Sequence, residues 1–94
     1  PMPTQITQID DDDRGVTIYR VEGEMFAEDV ELISRLAVQQ QSDSGNSIVI
    51  DIADLDFIDS NSAPLLRRLE SEHGFEITGS EIFLQNIVNA AEKA

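Results

Sequence analysis

The sequence predicts an α/β fold, a small mixed β-sheet built from an N-terminal hairpin plus parallel strands and packed with three main helices. Three observations predict it. Two stretches of strand character near the N-terminus flank a short polar turn. The apolar period then lengthens to that of a helix three times. Between those helices lie short apolar segments, which run parallel if each is reached through a helical crossover.

The elements follow in order. Ile6 and Ile9 belong to a weak first strand. Asp10 to Asp13, with Arg14 and Gly15, read as a hairpin turn, because short polar residues tolerate tight backbone angles and glycine permits positive φ. "VTIYRVEG", 16–23, alternates as a second strand rich in β formers. Phe26, Val30, Ile33 and Ala37 then recur at helical spacing, widened by Leu32 and Leu36. Glu28, Asp29 and Glu31 crowd the first turn, where the helix dipole favours negative charge. "SIVIDIADLDFI", 47–58, opens with a β-branched run expected of a single strand covered on both faces. Ala63, Leu65, Leu66 and Leu69 form a second helical face, which His73 and Gly74 close. "FEITG", 75–79, is a short strand. Ile82, Phe83, Ile87, Val88 and Ala91 make one face of a last helix.

Ninety-four residues with 40% hydrophobic content make a single domain, 1–94, with one core. Pro1 before Met2 reads as a leftover of an expression vector. The absence of cysteine removes disulfide frameworks and thiolate metal clusters. No apolar run approaches the ~20 residues of a membrane span, and the N-terminus has no signal-peptide layout, so a cytoplasmic location and no membrane insertion are expected. Nineteen acidic residues stand against six basic ones, a net charge of −13. Such a surface repels nucleic acid and anionic membrane, and it suits a basic protein partner or plain solubility.

In an open α/β sheet, function gathers where parallel strands end and helices begin. Three segments are expected there: Glu22-Gly23-Glu24, Asp56 to Ser62, and Thr78-Gly79-Ser80. The middle one carries "DSNS" (Asp59, Ser60, Asn61 and Ser62) directly before Pro64. Helix capping accounts for one such residue, and proline is tolerated in a first turn. Four capping candidates in succession leave both capping and function open.

Catalytic readings find little. The single histidine, His73, stands about three turns along the helix from Ser60, on the order of 15 Å or more away, so Ser60 has no base. "DIADLDFID" lacks the glycine and terminal glutamate of a calcium loop. Neither GxGxxG nor GxxxxGK[ST] occurs, so no nucleotide cradle is indicated. "DDDD" is read as a solvated turn in preference to a cation site, and Arg67 and Arg68 as helix-surface charges. No catalytic residue, metal or cofactor is expected.

"IVIDIADLDFIDSNSAPLL" resembles the signature of the STAS domain, found in anti-sigma-factor antagonists and in the cytosolic tails of sulphate transporters. Its pattern is a hydrophobic strand, an aspartate, an acidic turn, an aspartate-serine pair, a small residue, a glycine and an apolar helix. Asp51 corresponds to the strand aspartate, Asp59 and Ser60 to the pair. Ser62 stands where glycine is usual, and Asn61 and Pro64 are also departures. The order of elements matches over essentially the whole chain, so the resemblance implies a STAS-like fold.

It also implies a non-enzymatic phosphorylation switch. In the antagonists the unmodified domain binds a serine kinase that doubles as an anti-sigma factor. Phosphorylation of the serine releases that partner, and a serine phosphatase restores binding. Carried over, this gives Ser60 as the phosphorylated residue, with Ser62 as rival hydroxyl. The partner-binding face comprises Glu22, Glu24, Asp56, Asp59, Ser60, Asn61, Ser62, Thr78 and Ser80. Two other readings stay open: a constitutive STAS subunit of a membrane transport complex, and a small-ligand sensor.

Overall fold

The computed structural model describes residues 3–93; Pro1, read above as a vector leftover, lies outside them. The elements in chain order are β1 (Gln5–Asp11), β2 (Val16–Met25), α1 (Ala27–Ser44), β3 (Ser47–Asp51), β4 (Leu55–Ile58), α2 (Ser62–His73), β5 (Glu76–Thr78) and α3 (Ser80–Lys93). β1 runs antiparallel to β2, whereas β3 and β4 run parallel to β2 and β5 parallel to β3. The sheet order is β1-β2-β3-β5, with β4 also paired to β2. This is the mixed sheet with three helices expected above.

β2 organises the domain. Every odd residue from Thr17 to Met25 is buried and every even one from Val16 to Glu24 is half-buried. Since strand side chains alternate between faces, one face of the sheet lies under helices and the other faces solvent. β3 repeats the pattern, with Ile48 and Ile50 buried and Val49 half-buried. The expectation of a strand covered on both faces therefore fails: α1, α2 and the core occupy one face, and among the described residues no second layer covers the half-buried Val49.

The segment 47–58 holds two strands where one is expected. β3 and β4 follow each other along the same side of β2, but the register slips between them. Partner numbers differ by 31 at Val16↔Ser47 and by 33 at Met25↔Ile58, so two extra residues are accommodated between. The slip is built locally. The Asp51 carboxylate accepts the Ala53 N–H at 3.0 Å, and the Leu55 N–H donates to the Ile52 carbonyl at 3.3 Å. Gly79 lies directly against this turn at φ +87°, where a Cβ would stand 2.5 Å from the Ala53 nitrogen. Only glycine combines that approach with that backbone.

Val30, Ile33 and Ala37 bury the inner stripe of α1, while Leu32 and Leu36, expected to widen it, remain exposed. Full burial of an aliphatic side chain contributes roughly 1.5–3 kcal/mol, so Ile33, fully buried in the same core as Ile50, is central to seating α1. Phe26 is the N-cap residue and not part of the buried stripe. Its N–H donates to the Asp29 carboxylate at 2.8 Å. In α2, Leu66 and Leu69 are buried, and Pro64 is the third residue, where its missing N–H costs no intrahelical bond. The helix ends as expected at His73, with Gly74 in the left-handed conformation and its N–H on the carbonyls of Glu70 and Leu69. No residue of α3 is buried.

Candidate functional site

The loop between β4 and α2 is a turn pinned to the end of β2. The Asp59 N–H donates to the Met25 carbonyl at 2.9 Å, and the Ser62 N–H donates to the Asp59 carbonyl at 2.8 Å. The second bond closes the four residues 59–62 into a β-turn. Asn61 has φ −77° and ψ −19°, suited to the inner corner of that turn. Ser60 occupies the outer corner and is exposed.

The two serines thus have opposite environments. Ser62 is 0% exposed, and its hydroxyl donates to the Met25 carbonyl at 3.3 Å. The position usually glycine therefore accepts serine, because the added oxygen finds an acceptor inside the protein. Ser62 is consequently no part of the accessible face expected of it. Ser60 has no side-chain hydrogen bond among the described residues, nor do Asn61, Asp56 and Asp59. Side-chain capping does not explain "DSNS": Asn61 is the N-cap residue of α2 and makes no side-chain cap bond.

The remaining expected residues are only partly brought together. Glu22 and Glu24 lie within β2, since that strand continues to Met25. Glu24 pairs with Phe57 one step before the Met25↔Ile58 pair that leads into the Ser60 turn. Asp56 is exposed inside β4, and Asp59 is half-buried. Thr78 pairs with Asp51, which itself pairs with Arg20, five residues earlier along β2 than Met25. The parallel strands end at staggered levels because β4 prolongs one line of the sheet. Ser80, the first residue of α3, is exposed and borders a groove with Ile58 and Ala63. Asp51 forms an ion pair with Arg20 at 3.6 Å in addition to holding Ala53.

Sequence reasoning missed an aromatic pair at this end. Phe26 and Phe57 are both exposed, with ring centroids 5.8 Å apart and planes inclined by 48°. Phe26 directly follows Met25, whose carbonyl anchors the turn, and Phe57 stands three residues before Ser60. The available signal was a lone aromatic in an acidic alternation, Asp56-Phe57-Ile58-Asp59. Elsewhere, a groove of about 350 Å³ between α1 and α2 is bordered by Arg35 and Arg68. Glu31 and Glu72 border it too, with Glu72 held to Arg68 at 3.2 Å, so it offers an anion no net attraction.

The "DDDD" turn has a structural occupation. Asp10 accepts from Thr17 at 2.9 Å and Gln40 at 3.2 Å, and Asp12 accepts from Asn46 at 3.1 Å. The Tyr19 hydroxyl is buried with no hydrogen-bond partner among the described residues. Burial and, secondarily, the Asp10 charge push its pKa above the usual 10.0.

Fold and site define a small one-layer-of-helices α/β domain presenting an exposed serine at the start of a helix, flanked by carboxylates. The sequence model of the STAS domain matches residues 6–87, and the chain belongs to the STAS domain family. Among solved structures it is similar to the STAS domain of an anti-sigma-factor antagonist from Rhodobacter sphaeroides, with 22% identity, TM-score 0.63, and coverage of 89% of this chain and 95% of that one. It is similar to an uncharacterised DUF3478-family protein with a SpoIIAA-like fold from Shewanella loihica PV-4, at 23% identity and TM-score 0.60, covering 85% and 69%. The unphosphorylated anti-sigma-factor antagonist SpoIIAA is also similar, at 22% identity and TM-score 0.50, covering 76% and 66%. At these identities the structures establish the fold. No curated protein matches the sequence. Among the described residues no helix is long and apolar enough to cross a membrane.

Proposed function

We propose that this protein is a phosphorylation-controlled binding protein, a partner switch of the anti-sigma-factor-antagonist kind, acting in the cytoplasm and not as an enzyme. Unmodified, it binds a serine kinase of the anti-sigma type through the Ser60 turn. Phosphorylation of Ser60 releases that partner, and a serine phosphatase resets it. The observation that carries this reading is the contrast between an exposed, unbonded Ser60 hydroxyl and a sealed Ser62 hydroxyl in the same turn.

The local chemistry supports it. A phosphate on Ser60 adds about −1.5 to −2 charge beside Asp56 and Asp59. The start of α2 compensates weakly, because the Ser62 N–H is already bonded to Asp59 and Pro64 has none to offer. The new charge therefore stands on the docking face with few helix-start donors to neutralise it. Phe26 and Phe57 supply an apolar anchor beside it, of the aromatic type that dominates interface energetics. A few kcal/mol of differential affinity converts a bound partner into a free one.

The test is incubation with a cognate serine kinase and ATP, read by intact mass and fragmentation. One phosphate is expected, located on Ser60 and absent from Ser60→Ala. Phosphate on Ser62 alone would overturn the assignment. Retention of the kinase by Ser60→Glu would overturn the switch, and a permease complex held equally by both forms would instead indicate a constitutive transport subunit.

A further inference from the structure

The rings of Phe26 and Phe57 stand exposed in surroundings of a single sign. Phe26 is 38% and Phe57 45% exposed. Both are held from the backbone: Phe57 lies in β4, and Phe26 opens α1 with its N–H on the Asp29 carboxylate. Glu24 pairs with Phe57 across the sheet. Asp56 and Glu28, next to the rings along the chain, are exposed, and Asp59 is half-buried. Residues 21–34 and 52–66, which carry the pair and its surroundings, hold eight carboxylates and no basic residue.

The six basic side chains all lie elsewhere. Arg14 pairs with Asp11 at the hairpin turn, and Arg20 pairs with Asp51, four residues or ~13 Å along β2 from Glu24. Arg35 and Arg68 border the α1–α2 groove, Arg67 borders the α2–α3 groove, and Lys93 ends α3. Among the described residues, Glu28, Asp56 and Asp59 form no ion pair.

That combination selects an occupant. An aliphatic side chain laid on the rings would take the neighbouring carboxylates out of water with nothing to bond them. Arginine meets both demands, because its guanidinium plane stacks on an aromatic face while its N–H groups bond carboxylates. Lysine carries a compact, strongly hydrated charge and stacks less well. Nucleic acid and anionic membrane are repelled by this face, and a second copy of the chain brings 19 acidic against six basic residues.

We propose that the Phe26–Phe57 pair is an arginine-docking site, on which a protein partner lays an exposed guanidinium that Asp56, Asp59 and Glu28 bond at its edge. The proposal rests on the reading of this end as the docking face, and it adds the chemistry that the partner presents there. Partners of the Ser60 turn are thereby restricted to those with an arginine at the matching position.

The test is a titration of the whole chain, at about 0.15 M salt to screen long-range attraction, with an acetylated and amidated pentapeptide of alternating arginine and leucine. Nuclear magnetic resonance follows the phenylalanine rings. The Phe26 and Phe57 resonances should shift saturably and those of the buried Phe75 should not. The lysine–leucine counterpart should bind more weakly by roughly twofold or more, and Phe26→Leu/Phe57→Leu should weaken the arginine peptide by roughly two- to fivefold. Asp56→Asn/Asp59→Asn should cost about threefold or more. Glu81→Gln/Glu92→Gln on α3 removes the same net charge and should change little. The absence of a saturable shift, equal affinity for the lysine peptide, equal affinity after both leucine changes, or an equal loss from the α3 variant overturns the proposal. Neither kinase nor ATP enters this titration, so its failure is distinguishable from failure of the Ser60 assignment, which the location of the phosphate decides.

Discussion

The two ends of β2 are both acidic turns, and they use their polar groups in opposite ways. At the Val16 end, Asp10, Asp12, Thr17, Gln40 and Asn46 are bonded to one another. At the Met25 end, Asp56, Ser60 and Asn61 point into solvent and bond to nothing within the described residues. Equal richness in carboxylates therefore conceals unequal availability. A saturated cluster fastens the hairpin to the end of α1, whereas the other leaves its side chains to solvent. Composition alone does not separate the two, because the distinction lies in which donors the fold brings within reach.

Replacing the hub of the saturated end should have the largest effect. Thr17→Val removes a buried hydroxyl that bonds Asp10, Gln40 and Asn46. A loss of about 1–2 kcal/mol in urea unfolding is expected, moderated because both amides keep a second acceptor. A loss below a few tenths would mean that the network is ornamental, and the contrast between the two ends would collapse.

Tyr19, close to that same end, sharpens the comparison by the opposite sign. Its buried hydroxyl has no partner among the described residues, so Tyr19→Phe should stabilise the domain by about 1 kcal/mol. Because its pKa is raised in the folded state, the unfolded chain loses this proton first as pH climbs. Its contribution is thus intact below pH ~10 and declines above it. The decline should vanish in Tyr19→Phe. The chain has one tyrosine and no tryptophan, so an ultraviolet titration reads this group alone.

The smallest expected effects divide the two serines. Ser62→Ala should cost about 0.5–1.5 kcal/mol by orphaning one acceptance at the Met25 carbonyl, whereas Ser60→Ala should stay within about 0.5 kcal/mol. Equal costs in thermal unfolding would place both hydroxyls on the same side of the divide.

Much of the fold was legible. The switch from a two-residue to a 3.6-residue period marked β1, β2, α1, α2, β5 and α3, and His73-Gly74 fixed the end of α2 because that stop is written in local backbone preference. The division of 47–58 into β3 and β4 was not legible, because it depends on a side chain, Asp51, reaching Ala53 and on Gly79 arriving from 26 residues later. Likewise Leu32, Leu36 and Val88 have the right spacing for a buried face, but spacing does not say whether another element comes to cover it. Within the site, Ser60 and Ser62 look interchangeable in the sequence. Only the placement of the Met25 carbonyl beneath the turn tells them apart.

The Met25 carbonyl receives both the Asp59 N–H and the Ser62 O–H, so one backbone atom moors the whole turn. Positions 60 and 61 hang outside those moorings. Both side chains could be exchanged there while everything beneath goes on folding as before, which makes this corner of the domain a cassette whose outward chemistry is free to change independently of the fold.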